Sequence, residues 1–216
     1  MMKPYVLASL LVAFSGSAVA DTVFNYDGFY ARMKKSEKVE FSDITLAFVL
    51  QKAGSTDPCV VDKALITTDI SEAPLTIAGN GELMLPFDEM LNVQKALIVL
   101  KQPENAAACD LNFKLRSKMP VPQQATVAQL RKIQAQFDQL LDSLAGWGKY
   151  WLPDVSGLTV HFNTEAIAES SDAAFSQQLL CEQNRCRIFL PESLDDKATV
   201  QFSKMPDHAT PLLLKP

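Results

Sequence analysis

The chain is poor in histidine and lacks the short motifs that mark common catalytic and nucleotide-binding sites. Its 216 residues include two histidines, His161 and His208. There is no G-x-S-x-G, H-E-x-x-H, P-loop or dinucleotide-binding pattern. Both histidines are interpreted as surface residues. A metal pair or a Ser/His/Asp site would require side chains to meet in the fold, and the sequence does not show such a meeting. We therefore expect no metal site and no cofactor.

Long apolar runs are also absent, apart from one near the start of the chain. Lys3 precedes an apolar stretch, Tyr5–Phe14, and small residues follow it up to Ala20. This order is typical of a signal peptide that is cleaved between Ala20 and Asp21. The stretch is too short to span a bilayer as a stable helix. We expect residues 1–20 to be removed, which leaves a periplasmic mature chain without an integral membrane segment.

Positive charge is scarce as well. The 20 basic residues less Lys3 leave 19 against 25 acidic residues, a formal net charge of −6 for the expected mature chain. Nucleic-acid binding is disfavoured, because it requires a basic surface. The densest basic run lies between Arg32 and Lys38 and is interrupted by Glu37. We interpret this run as the solvated face of a strand.

Four cysteines in an exported chain indicate two disulfides. Three pairings are open, and we favour Cys59–Cys109 with Cys181–Cys186 because each pair stays within one half of the chain. A two-residue turn at Gln183-Asn184 would place Cys181 opposite Cys186, with Cα atoms about 4.5 Å apart. The alternative, a four-cysteine zinc site, is disfavoured by the spacing and by the oxidising compartment.

Residues 21–119 read as a series of short strands with no long helix. Asn80-Gly81 is a turn signal between two apolar segments. Cys109–Leu115 alternates most clearly, and we expect its odd-numbered residues, including Phe113, to face inward. Short strands separated by turns predict an antiparallel β-sandwich, with the Cys59–Cys109 disulfide joining two of its strands.

Residues 123–216 contain the one long helix that the sequence predicts with clear periodicity, Thr126–Trp147. Its apolar residues recur at spacings of three and four, and Thr126 with Gln129 forms a capping box. Docking onto a sheet within the same chain is favoured over a helix-mediated dimer, so we expect a monomer. The segments that follow predict a strand at Leu158–Phe162, a short helix ending at Glu169, the disulfide hairpin and a last strand. The whole chain is thus predicted to be α+β, with a β-sandwich followed by a small α+β domain.

An aromatic cluster follows the long helix and consists of Trp147, Tyr150 and Trp151. Such rings could bind a sugar or a peptide of the cell envelope. The alternative is that they complete the core, and we favour it because Trp147 continues the apolar spacing of the helix. These three residues are nevertheless the best candidates for ligand binding that the sequence offers.

Segments 25–30 (Asn-Tyr-Asp-Gly-Phe-Tyr) and 81–88 (Gly-Glu-Leu-Met-Leu-Pro-Phe-Asp), together with Cys59 and Cys109, resemble an exported gammaproteobacterial family of unknown function. The resemblance covers most of the mature chain. It implies a periplasmic location and transfers no catalytic residue, because the shared segments are structural in character.

These observations predict a non-enzymatic binding or accessory protein of the cell envelope, with an envelope protein or glycan as its partner. The alternative is a hydrolase of envelope glycan or peptide that uses carboxylates beside Trp147, Tyr150 and Trp151. A cleft with two or more buried carboxylates next to these rings would favour the hydrolase.

Overall fold

The computed structural model describes residues 21–213, which form an α+β fold with antiparallel sheets in both halves. The predicted signal peptide, residues 1–20, lies outside the described residues, and so does Ala20 of the predicted cleavage position. The elements of the first half are β1 (Thr22–Asn25), α1 (Tyr26–Ser36), β2 (Ile44–Lys52), β3 (Lys63–Thr67), β4 (Glu72–Pro74), β5 (Thr76–Ile77), β6 (Leu83–Met84), α2 (Glu89–Val93), β7 (Leu97–Lys101) and β8 (Cys109–Ser117).

The second half contains the longest helix and seven further strands. Its elements are β9 (Gln124–Thr126), α3 (Val127–Ala145), β10 (Val155–His161), β11 (Ala168–Glu169), α4 (Ala173–Ser176), β12 (Leu179–Glu182), β13 (Arg185–Phe189), β14 (Thr199–Phe202) and β15 (His208–Leu213). Short 3₁₀ turns cover Val39–Phe41 and Gly146–Trp151. The predicted α+β class, with antiparallel sheets and one long helix, is confirmed.

Two antiparallel sheets dominate the first half. One has the strand order β1-β7-β3-β4, and the other is the long pair β2-β8, which is in register from Ile44↔Ser117 to Lys52↔Cys109. The Cys59–Cys109 disulfide ties β8 to the loop before β3, with Cα atoms 5.8 Å apart. The turn at Asn80-Gly81 joins β5 to β6, and Gly81 takes a φ of 84° that favours glycine.

Helix α1 corrects the prediction that the first half has no long helix. Its buried residues Tyr26, Phe29, Tyr30 and Met33 recur at helical spacing and pack toward β2, where the rings of Phe29 and Phe48 lie 4.9 Å apart. Arg32, Lys34 and Lys35 of the basic run lie on the solvent side of this helix and Lys38 follows it, so the prediction of a strand face is wrong. Phe113 lies on the same face as its cross-strand partner, the buried Phe48, with ring centroids 5.6 Å apart, but it is itself 47% exposed.

Helix α3 covers one face of the four-stranded sheet β12-β13-β10-β15. Its residues Leu130, Phe137 and Leu140 are fully buried, as are Leu158 and Val160 of β10. The Thr126–Gln129 capping box is present at its start, as predicted. The predicted stripe thus packs within the chain. The prediction of a short helix ending at Glu169 is wrong, because Ala168–Glu169 forms strand β11, which pairs with β14.

The disulfide hairpin has the predicted register. Glu182 faces Arg185 and Cys181 faces Cys186, whose Cα atoms are 4.0 Å apart. Gln183 takes a φ of 57° in the two-residue turn. Both favoured cysteine pairings are therefore confirmed. Two disulfides indicate a protein that folds outside the reducing cytoplasm.

The two halves share one continuous hydrophobic core. Helix α3 contacts the start of β2 through Gln136, whose side-chain amide donates to Asp43 Oδ2 at 2.7 Å and accepts from the Asp43 amide at 3.0 Å. Lys132 lies 2.7 Å from the same carboxylate and is the main reason that the pKa of Asp43 is lowered. At the other end, the buried Ser117 hydroxyl of β8 accepts from the Ala209 amide of β15 at 3.0 Å.

Candidate functional site: a cleft between the two halves

A cleft of about 830 Å³ lies where β8 of the first half approaches β15 of the second. Both are edge strands, since β8 pairs only with β2 and β15 only with β10 among the described strands. Its apolar wall residues are Ala47, Val49, Pro58, Phe113, Leu115, Leu141, Pro211 and Leu213. Its polar and charged wall residues are Gln51, Thr56, Asn80, Glu82, Lys114, Arg116, His161, Asn184, His208 and Thr210.

The two histidines of the chain meet in this cleft. His161 on β10 is the direct cross-strand partner of His208 on β15, so both side chains lie on the same face of the sheet. Their rings are stacked, with centroids 4.5 Å apart and planes inclined by 6°. His161 Nε2 lies 3.0 Å from the Thr210 hydroxyl, and His208 Nδ1 lies 2.7 Å from Asp207 Oδ2.

Basic residues surround His161 and shift its pKa. Burial is the main cause of a decrease to about 4, and electrostatic interactions with His208, Arg185 and Lys114 lower the pKa further, while Asp207 opposes the decrease. Arg185 on β13 is the cross-strand partner of His161, and Lys114 on β8 lines the cleft. We call His161, His208, Arg185 and Lys114 the basic cluster. At neutral pH the imidazole of His161 is uncharged.

The far wall of the cleft contains a carboxylate that is already neutralised. Glu82 is 9% exposed, and Arg116 binds it with two hydrogen bonds, from Nη2 at 2.8 Å and from Nε at 3.2 Å. This fork geometry holds both side chains firmly. Among residues 21–213, Glu82 is the one buried carboxylate, and it lies in the first half, on the cleft wall.

The geometry does not assemble a nucleophilic triad from the histidines. His208 is bound to Asp207, but no hydroxyl or thiol of the described chain is hydrogen-bonded to His208. His161 is bound to the Thr210 hydroxyl, but not to an acid. Asp207 thus binds one ring and the Thr210 hydroxyl binds the other, whereas a triad needs both on the same ring. Residues 21–213 also contain no group of three residues that could hold a metal ion.

The predicted aromatic site lies elsewhere, on the 3₁₀ turn Gly146–Trp151. Trp147, Tyr150 and Trp151 are 90%, 74% and 84% exposed, so the favoured prediction that they complete the core is wrong. The cause is Gly146, which takes a φ of 56° and ends the helix before Trp147 can continue its buried stripe. We call these three residues the aromatic turn. It remains a predicted binding surface, separate from the residues that line the cleft.

The sequence interpretation missed the cleft, because its residues come from separate segments on β2, β8, β10 and β15. One signal was available: His161 alternates with buried Leu158 and Val160, which places it on the opposite face of its strand. His208 could be assigned to the same face only after the pairing of β10 with β15 was known.

The fold and the site define an α+β protein, tied by two disulfides, with an open cleft between its two halves. The model of the family described as "Protein of unknown function (DUF2987)" matches residues 19–162, about two thirds of the chain, and the chain therefore belongs to this family. No match was found among curated proteins, and none among solved structures. Within residues 21–213, no helix is long and apolar enough to cross a membrane.

Proposed function

We propose that this protein is a non-enzymatic binding protein of the bacterial cell envelope that uses the cleft between its halves as its ligand site. The cleft is the observation that carries the proposal. Its volume of about 830 Å³ falls within the roughly 300–1,000 Å³ of typical ligand pockets. Its walls combine apolar side chains with polar and charged groups that can fix the orientation of a ligand.

Export to the periplasm is part of the proposal. Two observations support it: the signal-peptide pattern up to Ala20, and the two disulfides, which require an oxidising compartment. The resemblance to exported proteins of gammaproteobacteria points in the same direction. The expected mature chain begins at Asp21.

The aromatic turn supports an accessory role in the envelope. Three large rings within five residues, all mostly exposed, make an apolar surface that a folded chain would ordinarily bury. Trp and Tyr contribute strongly to binding energy at interfaces, and their flat faces stack on sugars and side chains. We propose that this turn contacts an envelope protein or glycan. For the hydrolase alternative, no observation in residues 21–213 supplies a pair of buried carboxylates beside these rings.

Site-specific crosslinking in the periplasm tests the proposal. A photoreactive residue replaces Thr210 in the cleft, Trp151 in the aromatic turn, or Lys197, which is an exposed control outside both sites. We expect reproducible adducts at Thr210 and Trp151, and none at Lys197. Adducts that form equally at all three positions, or at none, would count against a binding role.

The location is tested separately by the intact mass of the protein from fractionated cells. We expect a periplasmic species that starts at Asp21 and carries two disulfides. A cytoplasmic species that retains residues 1–20 would refute export.

A further inference from the structure

The basic cluster carries more positive charge than the surrounding acids neutralise. Three carboxylates lie near it: Glu82 binds Arg116, Glu182 binds Arg187 at 3.1 Å and is also the cross-strand partner of Arg185, and Asp207 is hydrogen-bonded to His208. Four arginine and lysine side chains, Arg116, Arg187, Lys114 and Arg185, stand against these three carboxylates. Lys114 and Arg185 remain, and neither has an ion pair with any residue of the described chain. Two unpaired cations therefore flank the His161–His208 stack in a protein whose overall charge is negative.

The position of these cations follows from the strand pairing. Arg185 on β13 is opposite His161, and His161 is opposite His208 on β15, so these side chains form one row across the sheet that ends in Glu182 on β12. Lys114 approaches the row from β8, on the other side of the cleft. The polar groups of Asn184 and Thr210 lie beside them on the cleft wall.

Another part of the cleft wall is apolar. Val49 of β2, Leu141 of α3 and Leu213 of β15 contribute to its walls, as do Pro58 and Pro211. A ligand that fills the cleft must therefore present apolar surface to these residues and negative charge to the basic cluster. A small inorganic anion would satisfy only the cations, and a neutral hydrocarbon only the walls.

We infer that the cleft binds a single-chain amphiphilic anion as a monomer. Its charged head lies where Lys114 and the His161–His208 stack line the wall, with Arg185 beside them at the rim, and its apolar chain lies against the β2, α3 and β15 residues. This inference rests on the proposed function and specifies the ligand class of the same site. Hydrogen bonds to a charged partner are the strong ones, so the two cations dominate discrimination between heads. The apolar walls add affinity in proportion to the area they cover.

Isothermal titration calorimetry of the mature protein tests the inference with three probes: dodecyl phosphate below its micelle concentration, inorganic phosphate, and dodecyl maltoside, which has a neutral head. We expect saturable binding of one dodecyl phosphate per chain. Each of the other two probes should bind at least about tenfold more weakly, because each loses one of the two kinds of contact.

Charge-removing variants connect the binding to the cations. Arg185→Gln and Lys114→Gln should each weaken dodecyl phosphate binding by roughly tenfold, the equivalent of one charged hydrogen bond. Lys197→Gln removes an exposed positive charge elsewhere and should leave binding unchanged. We expect all three variants to be folded, because these side chains have no ion pair in the described chain. Circular dichroism and the melting temperature check this.

The outcomes separate the inference from the proposed function. Equal binding of dodecyl maltoside and dodecyl phosphate, unaffected by Arg185→Gln, would overturn the inference and leave the cleft as a ligand site. Binding only to vesicles that contain phosphatidylglycerol, and not to the monomeric probe, would also overturn it. Absence of binding by all three probes would overturn it too, and the crosslinks at Thr210 would still decide whether the cleft binds another ligand.

Discussion

The two faces of the sheet that contains β10 differ in nearly every respect, although they share the same backbone. On the inner face, Leu158, Val160 and Ile188 are completely buried beneath α3. On the outer face, Thr159, His161 and Arg185 alternate with them and are at least partly exposed to solvent. Burial of apolar side chains accounts for the inner face. The outer face carries basic groups, among them Arg185, that have no ion pair and that folding does not require, and this excess points to binding.

The largest expected effect of a single substitution is on the inner face. Phe137→Ala removes a ring of α3 that has no exposed surface and should destabilise the protein by about 3–5 kcal/mol, because it leaves a cavity above the sheet. Chemical denaturation monitored by circular dichroism measures the change. A loss below about 1 kcal/mol would contradict the described packing of α3 onto β10.

The next largest effect is expected at the junction of the halves. Ser117→Ala removes the acceptor for the buried Ala209 amide and should cost about 1–3 kcal/mol, because the N–H group is left without a partner. The control is Ser156→Ala, whose hydroxyl donates to the Leu212 carbonyl in a more exposed place and within one half. Equal and negligible losses in both variants would mean that the β8–β15 contact does not stabilise the fold.

Acidification should weaken the fold through the outer face. The pKa of His161 is about 4 in the folded chain and lies below the usual 6.5, so the unfolded chain takes up the proton first as the pH falls. The stabilisation by the neutral ring is complete above pH 6.5 and is lost as the pH falls toward 4. One pKa unit corresponds to about 1.4 kcal/mol, and partial exposure reduces this, so we expect a loss of roughly 1–2 kcal/mol.

Melting temperatures between pH 7.5 and pH 4 measure this dependence. Carboxylates such as Asp43, whose pKa is lowered, add their own loss at acidic pH, and the comparison with His161→Gln separates the two. The variant retains a polar group near Thr210 but does not titrate. An identical pH profile in both proteins would show that His161 does not contribute.

The smallest effect on stability is expected at the aromatic turn. Trp151→Ala should change the free energy of unfolding by less than about 0.5 kcal/mol, because the ring is mostly exposed. Trp147→Ala serves as the matched variant in the same turn. A large decrease in melting temperature for either would restore the prediction that these rings belong to the core, and unchanged stability with lost crosslinks would assign them to a binding surface.

Local patterns in the sequence predicted much of the fold. The spacing of Leu130, Phe137 and Leu140 gave the long helix and its buried face, and the geometry of a two-residue turn gave the Cys181–Cys186 pair. Helix α1 shows the same kind of pattern in Tyr26, Phe29 and Met33, and its helical spacing could have been recognised.

The candidate site could not be predicted in the same way. His161 and His208 are 47 positions apart in the sequence and meet only because β10 pairs with β15 in one particular register. Strand pairing over long separations depends on packing of the whole core, and no local periodicity records it. The failure at Trp147 has the opposite cause, since one glycine ended a helical pattern that the apolar spacing alone would have continued.

The position of β15 constrains the order in which this chain can fold. It is the last strand of the described chain, yet it pairs with β10 and its Ala209 amide binds Ser117 of the first half. A chain still emerging from a ribosome or a translocation pore has neither contact until residue 213 is available. Both contacts therefore form after the other described strands are available, and until then β10 presents an open edge.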